Sequence, residues 1–314
     1  MNLSTIVVFA CVVNCILGYD YEQGGDDWPE QYELCGKDKQ TPVNIKGAKC
    51  DVALANSITF NNYKNKGEEK FKVLNTGGTM KLTTASTDAS IILDGKGTFK
   101  LQQVHFHWGK NDSEGSEHLL NDKAFPAELH YVHYNTMYGS LGNAYFRENG
   151  LAVLGVFMEV GPEPHPTFEK FLNLSKYDVK SKGNYTKVEA FHMADMLPEN
   201  IGMFYRYQGS LTTPSCDETV TWTVFDDTIK LSKEQFQEFR MMQDANGNNI
   251  IRNFRSIQPI NGRPITYWNS KCKVECVKCE KCEDSGKRGG NNGSTSTTVS
   301  FMFLAVCVIF HMFI

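Results

Sequence analysis

A two-residue period constrains the fold of this chain more than any other feature. In QQVHFHWG, residues 102–109, Gln103, His105 and His107 fall on one face of a strand, and Val104, Phe106 and Trp108 fall on the other. An exposed strand face ordinarily carries Lys, Glu, Thr or Ser, so two imidazoles one residue apart suggest that something sits between the rings. Further short segments, AELHYVHY, GLAVLGVFMEV and ETVTWTVF, are β-branched or aromatic and bounded by Gly, Pro, Asn or Asp. GLAVLGVFMEV is apolar almost throughout, as a central strand covered on both faces would be. One helix stands out: in LSKEQFQEFRMM, Ser232 and Gln235 form a capping box ahead of Phe236 and Phe239. No repeat of 20–50 residues is visible and no Pro- or Gly-rich linker interrupts residues 19–268. The reading is one mainly β domain, centred on a sheet with peripheral helices.

Residues two apart on a strand lie about 6.6 Å from each other, a gap that two imidazoles close by leaning toward one ion at roughly 2.0–2.1 Å from each nitrogen. A third ligand must come from another strand. In AELHYVHYN, Glu128, His130 and Val132 share a face, and Leu129, Tyr131 and His133 share the other. If His130 faces the first pair, three neutral histidines converge. A His-x-His pair alone is more often a surface pair than a ligand pair. The polar faces of both strands together are what point to a metal. Three neutral ligands leave a divalent ion its full charge, so that it acidifies a bound water, and they leave a fourth position open for chemistry. The stretch DANGNNIIRNF hints at a calcium loop, but Gly247 comes too early and Arg255 stands where a bidentate Glu is required.

The ends of the chain read differently from its middle. Residues 1–18 carry the apolar run LSTIVVFACVVNCIL before an acidic segment and read as a signal peptide. Residues 299–314, VSFMFLAVCVIFHMFI, are short for a membrane span and follow the small polar stretch GGNNGSTSTT. That order matches a glycosylphosphatidylinositol attachment signal, with attachment between Ser285 and Gly293; a single-pass anchor is the alternative. Residues 269–298 between domain and tail form a stalk, first Cys- and Lys-rich, then Gly-, Asn- and Ser-rich. Removing both ends leaves seven cysteines, and Cys272, Cys276, Cys279 and Cys282 cluster in the stalk as cross-links or, on spacing alone, a zinc site. Sequons at Asn111, Asn173, Asn184 and Asn292 fit glycosylation of an extracellular surface. A net charge of -4 over 314 residues gives no basic footprint, and nucleic acid is not an expected partner.

The motifs HFHWG, GSEH, AELHYVHYN, GLAVLGVF, GSLTTP and TVTW occur in the order and approximate spacing of the α-class carbonic anhydrases, which the chain resembles over residues 21–268. WPEQYELCGKDKQTPVNI is similar to the family's N-terminal signature. The resemblance implies a large twisted, mostly antiparallel sheet. It also implies a zinc enzyme that hydrates carbon dioxide reversibly to bicarbonate and a proton, by attack of zinc hydroxide. Zinc would be held by His105, His107 and His130, oriented respectively by Gln103, by the backbone near Asn253 and by Glu128. Thr212 would take the hydroxide proton's hydrogen bond and pass its own to Glu117, with Thr213 beside it. Val132, Val153, Leu211, Val220 and Trp222 would form the apolar wall for carbon dioxide, and sulfonamide or anion inhibitors would take the open zinc position. Cys35 and Cys216 would be bonded, as in the secreted, membrane-anchored branch, which places the enzyme at the extracellular face of the plasma membrane. A relative that has lost catalysis and only binds is the other class, but all three histidines, Glu117 and Thr212 are present. One departure stands out: Gly78 occupies the position where fast family members carry a proton-shuttling histidine, and Lys81 stands where a neutral amide is common.

Overall fold

The computed structural model describes residues 19–83 and 88–272, apart from the side chains of 174–176. The signal-peptide reading, Cys276, Cys279, Cys282, Asn292 and the apolar tail lie outside the described residues.

Thirteen of the described strands form one mixed sheet. Seven of them build the region of interest: β1 (Phe71–Asn75), β2 (Met80–Thr83), β3 (Gly97–Trp108), β4 (Ala127–Asn135), β5 (Leu151–Val160), β6 (Phe204–Gly209) and β7 (Val220–Phe225). Across the sheet they run β1-β2-β3-β4-β5-β7-β6. Neighbours are antiparallel except β5 and β7, which are parallel. The sheet is therefore mostly antiparallel, as the resemblance implied. Strand β5 lies between β4 and β7, which is why its first eight residues are buried on both faces.

The two-residue period of β3 does not run unbroken. Its register against β4 shifts between Leu101 and Gln103. The extra residue at a bulge reverses which side alternate residues face. Phe99 and Leu101 on one side of it, and Val104, Phe106 and Trp108 on the other, all reach the same apolar cluster. That switch frees Gln103, His105 and His107 for the opposite face.

Two helices cover the apolar face of β3: α1 (Pro166–Asp178) and α2 (Lys233–Arg240). The Phe106 ring lies 5.9 Å from Phe168 of α1 and 5.1 Å from Phe239 of α2. The capping box of Ser232 and Gln235 is present. Helix α1 was not singled out in the sequence, although Pro166 at its first position and the buried Phe168, Phe171 and Leu172 are its signals.

The histidine face is not a solvent face. His107 and His130 are each 1% exposed, because a second layer, which includes Thr41, Glu117, His118, Asn253 and Arg255, packs over this side of the sheet, where it meets Tyr207 of β6. A disulfide joins Cys35 to Cys216, as the resemblance implied. A second joins Cys50 to Cys272, the first of the four cysteines read from the sequence as a cluster. Asn111, Asn173 and Asn184 are exposed. No helix among the described residues is long and apolar enough to cross a membrane.

Candidate metal centre

Register brings the histidines together. On adjacent antiparallel strands His105 stands directly opposite His130, and His107 opposite Glu128. Ring centroids lie 5.0 Å apart for His105 and His107, 5.2 Å for His105 and His130, and 4.7 Å for His107 and His130. One nitrogen from each ring falls within 4.8 Å of the others, a set that could hold a metal ion.

The outward nitrogen of each ring is held by a different acceptor. His105 Nδ1 lies 3.0 Å from Gln103 Oε1, and His107 Nδ1 lies 2.7 Å from the Asn253 carbonyl oxygen. His130 Nε2 lies 2.8 Å from Glu128 Oε1. Each outward nitrogen therefore carries the proton, and the lone pairs of His105 Nε2, His107 Nε2 and His130 Nδ1 turn inward. His107 Nε2 is buried without a hydrogen-bond partner, although Glu117 Oε2 is 3.4 Å away. Burial pushes the His107 pKa down to about 3, helped by the neighbouring His130. His105 is likewise held well below its usual value, by burial and then by His107 and His130. His105 and His107 are thus held neutral, as metal ligands must be.

Glu117 lies on the covering layer, fully buried, with Oε1 accepting the Arg255 N–H at 2.9 Å. Burial raises its pKa to about 7, against the opposing pull of His130, the Thr212 hydroxyl and that N–H. A cavity of about 320 Å³ opens over the histidines, lined by Gln103, His105, His130, Val132, Val153, Leu211, Thr212, Thr213 and Trp222, with Tyr145 and Phe146 at its side. Val220 belongs to the same apolar cluster as Val132, Val153 and Trp222, but does not line the cavity. Gly78 accepts a hydrogen bond from Asn253 Nδ2 through its carbonyl, and a Cβ placed on it would meet nothing within 4 Å. Lys81 is the cross-strand neighbour of His105.

The resemblance implied that Glu128 orients His130 alone. In the structure it also binds His118, whose backbone N–H and Nδ1 each lie 2.7 Å from its carboxylate oxygens. Burial pushes the Glu128 carboxyl up, but His118 and His130 outweigh it and hold the group well below the usual carboxylate range. His118, Glu128 and His130 would pass as a second metal group by distance. The protons of both rings already point at the carboxylate, so this group is a hydrogen-bond network. His118 Nε2 completes it with the Tyr207 hydroxyl at 2.6 Å, itself 3.2 Å from Thr41 Oγ1. His118 stands beside Glu117 in the GSEH motif; that adjacency was its only signal in the sequence.

Comparison with known proteins agrees with this geometry. The profile of the family described as eukaryotic-type carbonic anhydrase matches residues 23–269. The chain is 36% identical to "Putative carbonic anhydrase 5" of Caenorhabditis elegans over 282 residues, covering 86% of this chain and 89% of that protein. It is 34% identical to "Carbonic anhydrase 6" of Homo sapiens over 254 residues, 79% of this chain and 82% of the relative. "Carbonic anhydrase 7" of Mus musculus is 32% identical over 256 residues, 79% and 95% of the two chains. With a mostly β fold, a clustered histidine triad and a family match over most of its length, the chain belongs to the eukaryotic-type carbonic anhydrase family and is an enzyme of that class.

Proposed function

We propose that the enzyme is a zinc-dependent carbonic anhydrase working at the extracellular surface, with the ion held by His105, His107 and His130. The observation that carries the reading is the arrangement of the three rings. Their outward nitrogens are hydrogen-bonded, their inward nitrogens converge, and His107 Nε2 is buried with no other partner. Zinc bound there supplies Lewis acidity that makes water a nucleophile near neutral pH.

The chain's own residues supply the rest. Gln103, the Asn253 carbonyl and Glu128 fix the tautomer and aim of each ligand. A hydrogen bond donated by the Thr212 hydroxyl to the neighbouring Glu117 carboxylate would leave the Thr212 oxygen able only to accept from the attacking group and so to orient it. Val132, Val153, Leu211 and Trp222 form an apolar wall beside that point, suited to a substrate with no charge and no strong donor. The product is an anion and each turnover leaves one proton to export. Gly78 has no side chain to carry it, so release to external buffer is the slow step at saturating substrate.

Zinc content and carbon dioxide hydration of the purified chain test this reading together. One zinc per chain is expected, with hydration abolished in His105→Ala, His107→Ala and His130→Ala while each variant stays folded. Sulfonamides are expected to inhibit by taking the open zinc position and donating to Thr212. A triple-histidine variant with normal activity overturns the assignment.

The extracellular placement rests on the apolar start, the tail with its polar spacer, the two disulfides and the exposed sequons. Release of cell-surface activity by a phosphatidylinositol-specific phospholipase supports the lipid anchor at residues 285–293; retention of all activity on the membrane supports the single-pass alternative.

A further inference from the structure

The face of the sheet turned away from the histidines carries a second charged group that the reaction does not use. Tyr205, Tyr207 and Trp222 belong to the cluster on the cavity side, whereas Phe204 and Phe225 belong to the cluster on the other side. By alternation Arg206 of β6 and Thr223 of β7 lie on that other side, and they are direct cross-strand partners. Arg206 Nε and Nη2 and Thr223 Oγ1 are all buried with no hydrogen-bond partner among the described residues. The guanidinium Cζ lies 5.2 Å from the Phe204 ring. No carboxylate is paired with it among the described residues.

Nε and Nη2 are not an arbitrary pair of atoms. They form one edge of the planar guanidinium, the edge whose two parallel N–H bonds match two oxygens of one oxyanion. The Thr223 hydroxyl stands across the strand pair as a third donor. A second cation is near: Lys96 donates to Asn149, and its pKa is lowered by burial and then by the charge of Arg206, against an opposing pull from Glu148. A buried guanidinium without a counter-charge is costly, and two cations in range of each other add to that cost. Arg206 itself is lowered to about 10 by burial alone. Part of residue Arg206 reaches solvent, whereas Nε and Nη2 themselves are buried.

We propose that Arg206 and Thr223 form a binding site for a small oxyanion presenting two oxygens, on the sheet face opposite the catalytic cavity. Bicarbonate, the product of the reaction, and inorganic phosphate from the medium share that chemistry. The site stands independently of the zinc assignment, because none of its residues touches the histidine cluster.

The test is calorimetric titration of the full chain with bicarbonate, phosphate or chloride at equal ionic strength, the catalytic cavity being saturated with a sulfonamide. Wild-type protein is expected to bind an oxyanion at one site, at least tenfold tighter than chloride. Arg206→Gln is expected to weaken this at least tenfold and Thr223→Val about threefold. Neither substitution is expected to change hydration activity, which also confirms that the variants are folded. Tighter bicarbonate assigns the site to product, and tighter phosphate assigns it to the medium; either supports the proposal. Equal affinity for chloride, no binding beyond the sulfonamide-occupied cavity, or undiminished binding in Arg206→Gln overturns it. So does an Arg206→Met variant whose thermal stability still rises with oxyanion as much as wild type.

Discussion

Glu128→Gln is the sharpest perturbation of the histidine cluster, since it keeps the shape of the side chain and removes one charge. Oε1 accepts from both imidazoles, His118 Nδ1 at 2.7 Å and His130 Nε2 at 2.8 Å, while Oε2 accepts the His118 backbone N–H at 2.7 Å. A glutamine oxygen at the first position leaves its NH2 pointing at that backbone N–H, two donors face to face in a fully buried site. The stranded donor costs about 1–3 kcal/mol. The two remaining bonds lose charge assistance and fall to roughly half their former strength. Turning the amide over is worse. Its NH2 would then meet both ring protons, and relieving the clash at His130 would move that proton to Nδ1, the nitrogen that faces His105 and His107. Together these losses amount to about 3 kcal/mol of stability, with metal affinity reduced about 10- to 100-fold. Urea unfolding of metal-free protein reads the first, and competition for zinc against a chelator reads the second. Hydration at saturating zinc then separates lost metal from misplaced metal. An unchanged urea midpoint together with unchanged zinc affinity would refute the view that Glu128 links the two imidazoles.

Three further outcomes follow from the structure. Gly78→His is expected to raise kcat in dilute buffer and leave kcat/KM for carbon dioxide unchanged, because the position is open and carries no positive-φ constraint; kcat already insensitive to buffer concentration would count against it. Replacing Cys35 and Cys216 by Ser opens a loop of 181 residues and is expected to cost up to about 5 kcal/mol by the chain-entropy argument, seen as a lower thermal midpoint under non-reducing conditions. Buried His133, donating Nδ1–H to the Tyr131 and Ala152 carbonyls, has its pKa lowered to about 4 chiefly by burial. Its folded value lies below the unfolded one, so its contribution is complete above about pH 6.5 and is lost as pH falls toward 4, by about 3 kcal/mol. His133→Gln should flatten that part of the stability profile relative to wild type, as measured by urea midpoints across the range.

What was legible in the sequence is what a strand encodes locally. Side-chain direction repeats every two residues, so the common face of His105 and His107, and that of Glu128 and His130, could be read without a structure. So could the buried character of β5 and the capping box of α2, whose signals lie within a few residues of each other. The ordered motifs gave the family, and the family gave the pairing of Cys35 with Cys216.

Tertiary structure alone decided which groups meet. The register that sets His105 against His130 depends on two strands finding each other, and a slip of one residue would turn the whole set to the other face. The bulge before Gln103 changes sides within a single strand, which no periodicity predicts. Asn253 reaches His107 from 146 residues away, and Arg255 reaches Glu117 from 138. Contacts of that separation leave no local pattern, because nothing in either segment needs the other until the chain has closed. The same holds for His118 sharing Glu128, for Cys50 joining Cys272 and for Arg206 facing Thr223. Chain-local geometry sets where a side chain can point; long-range packing sets what it finds there.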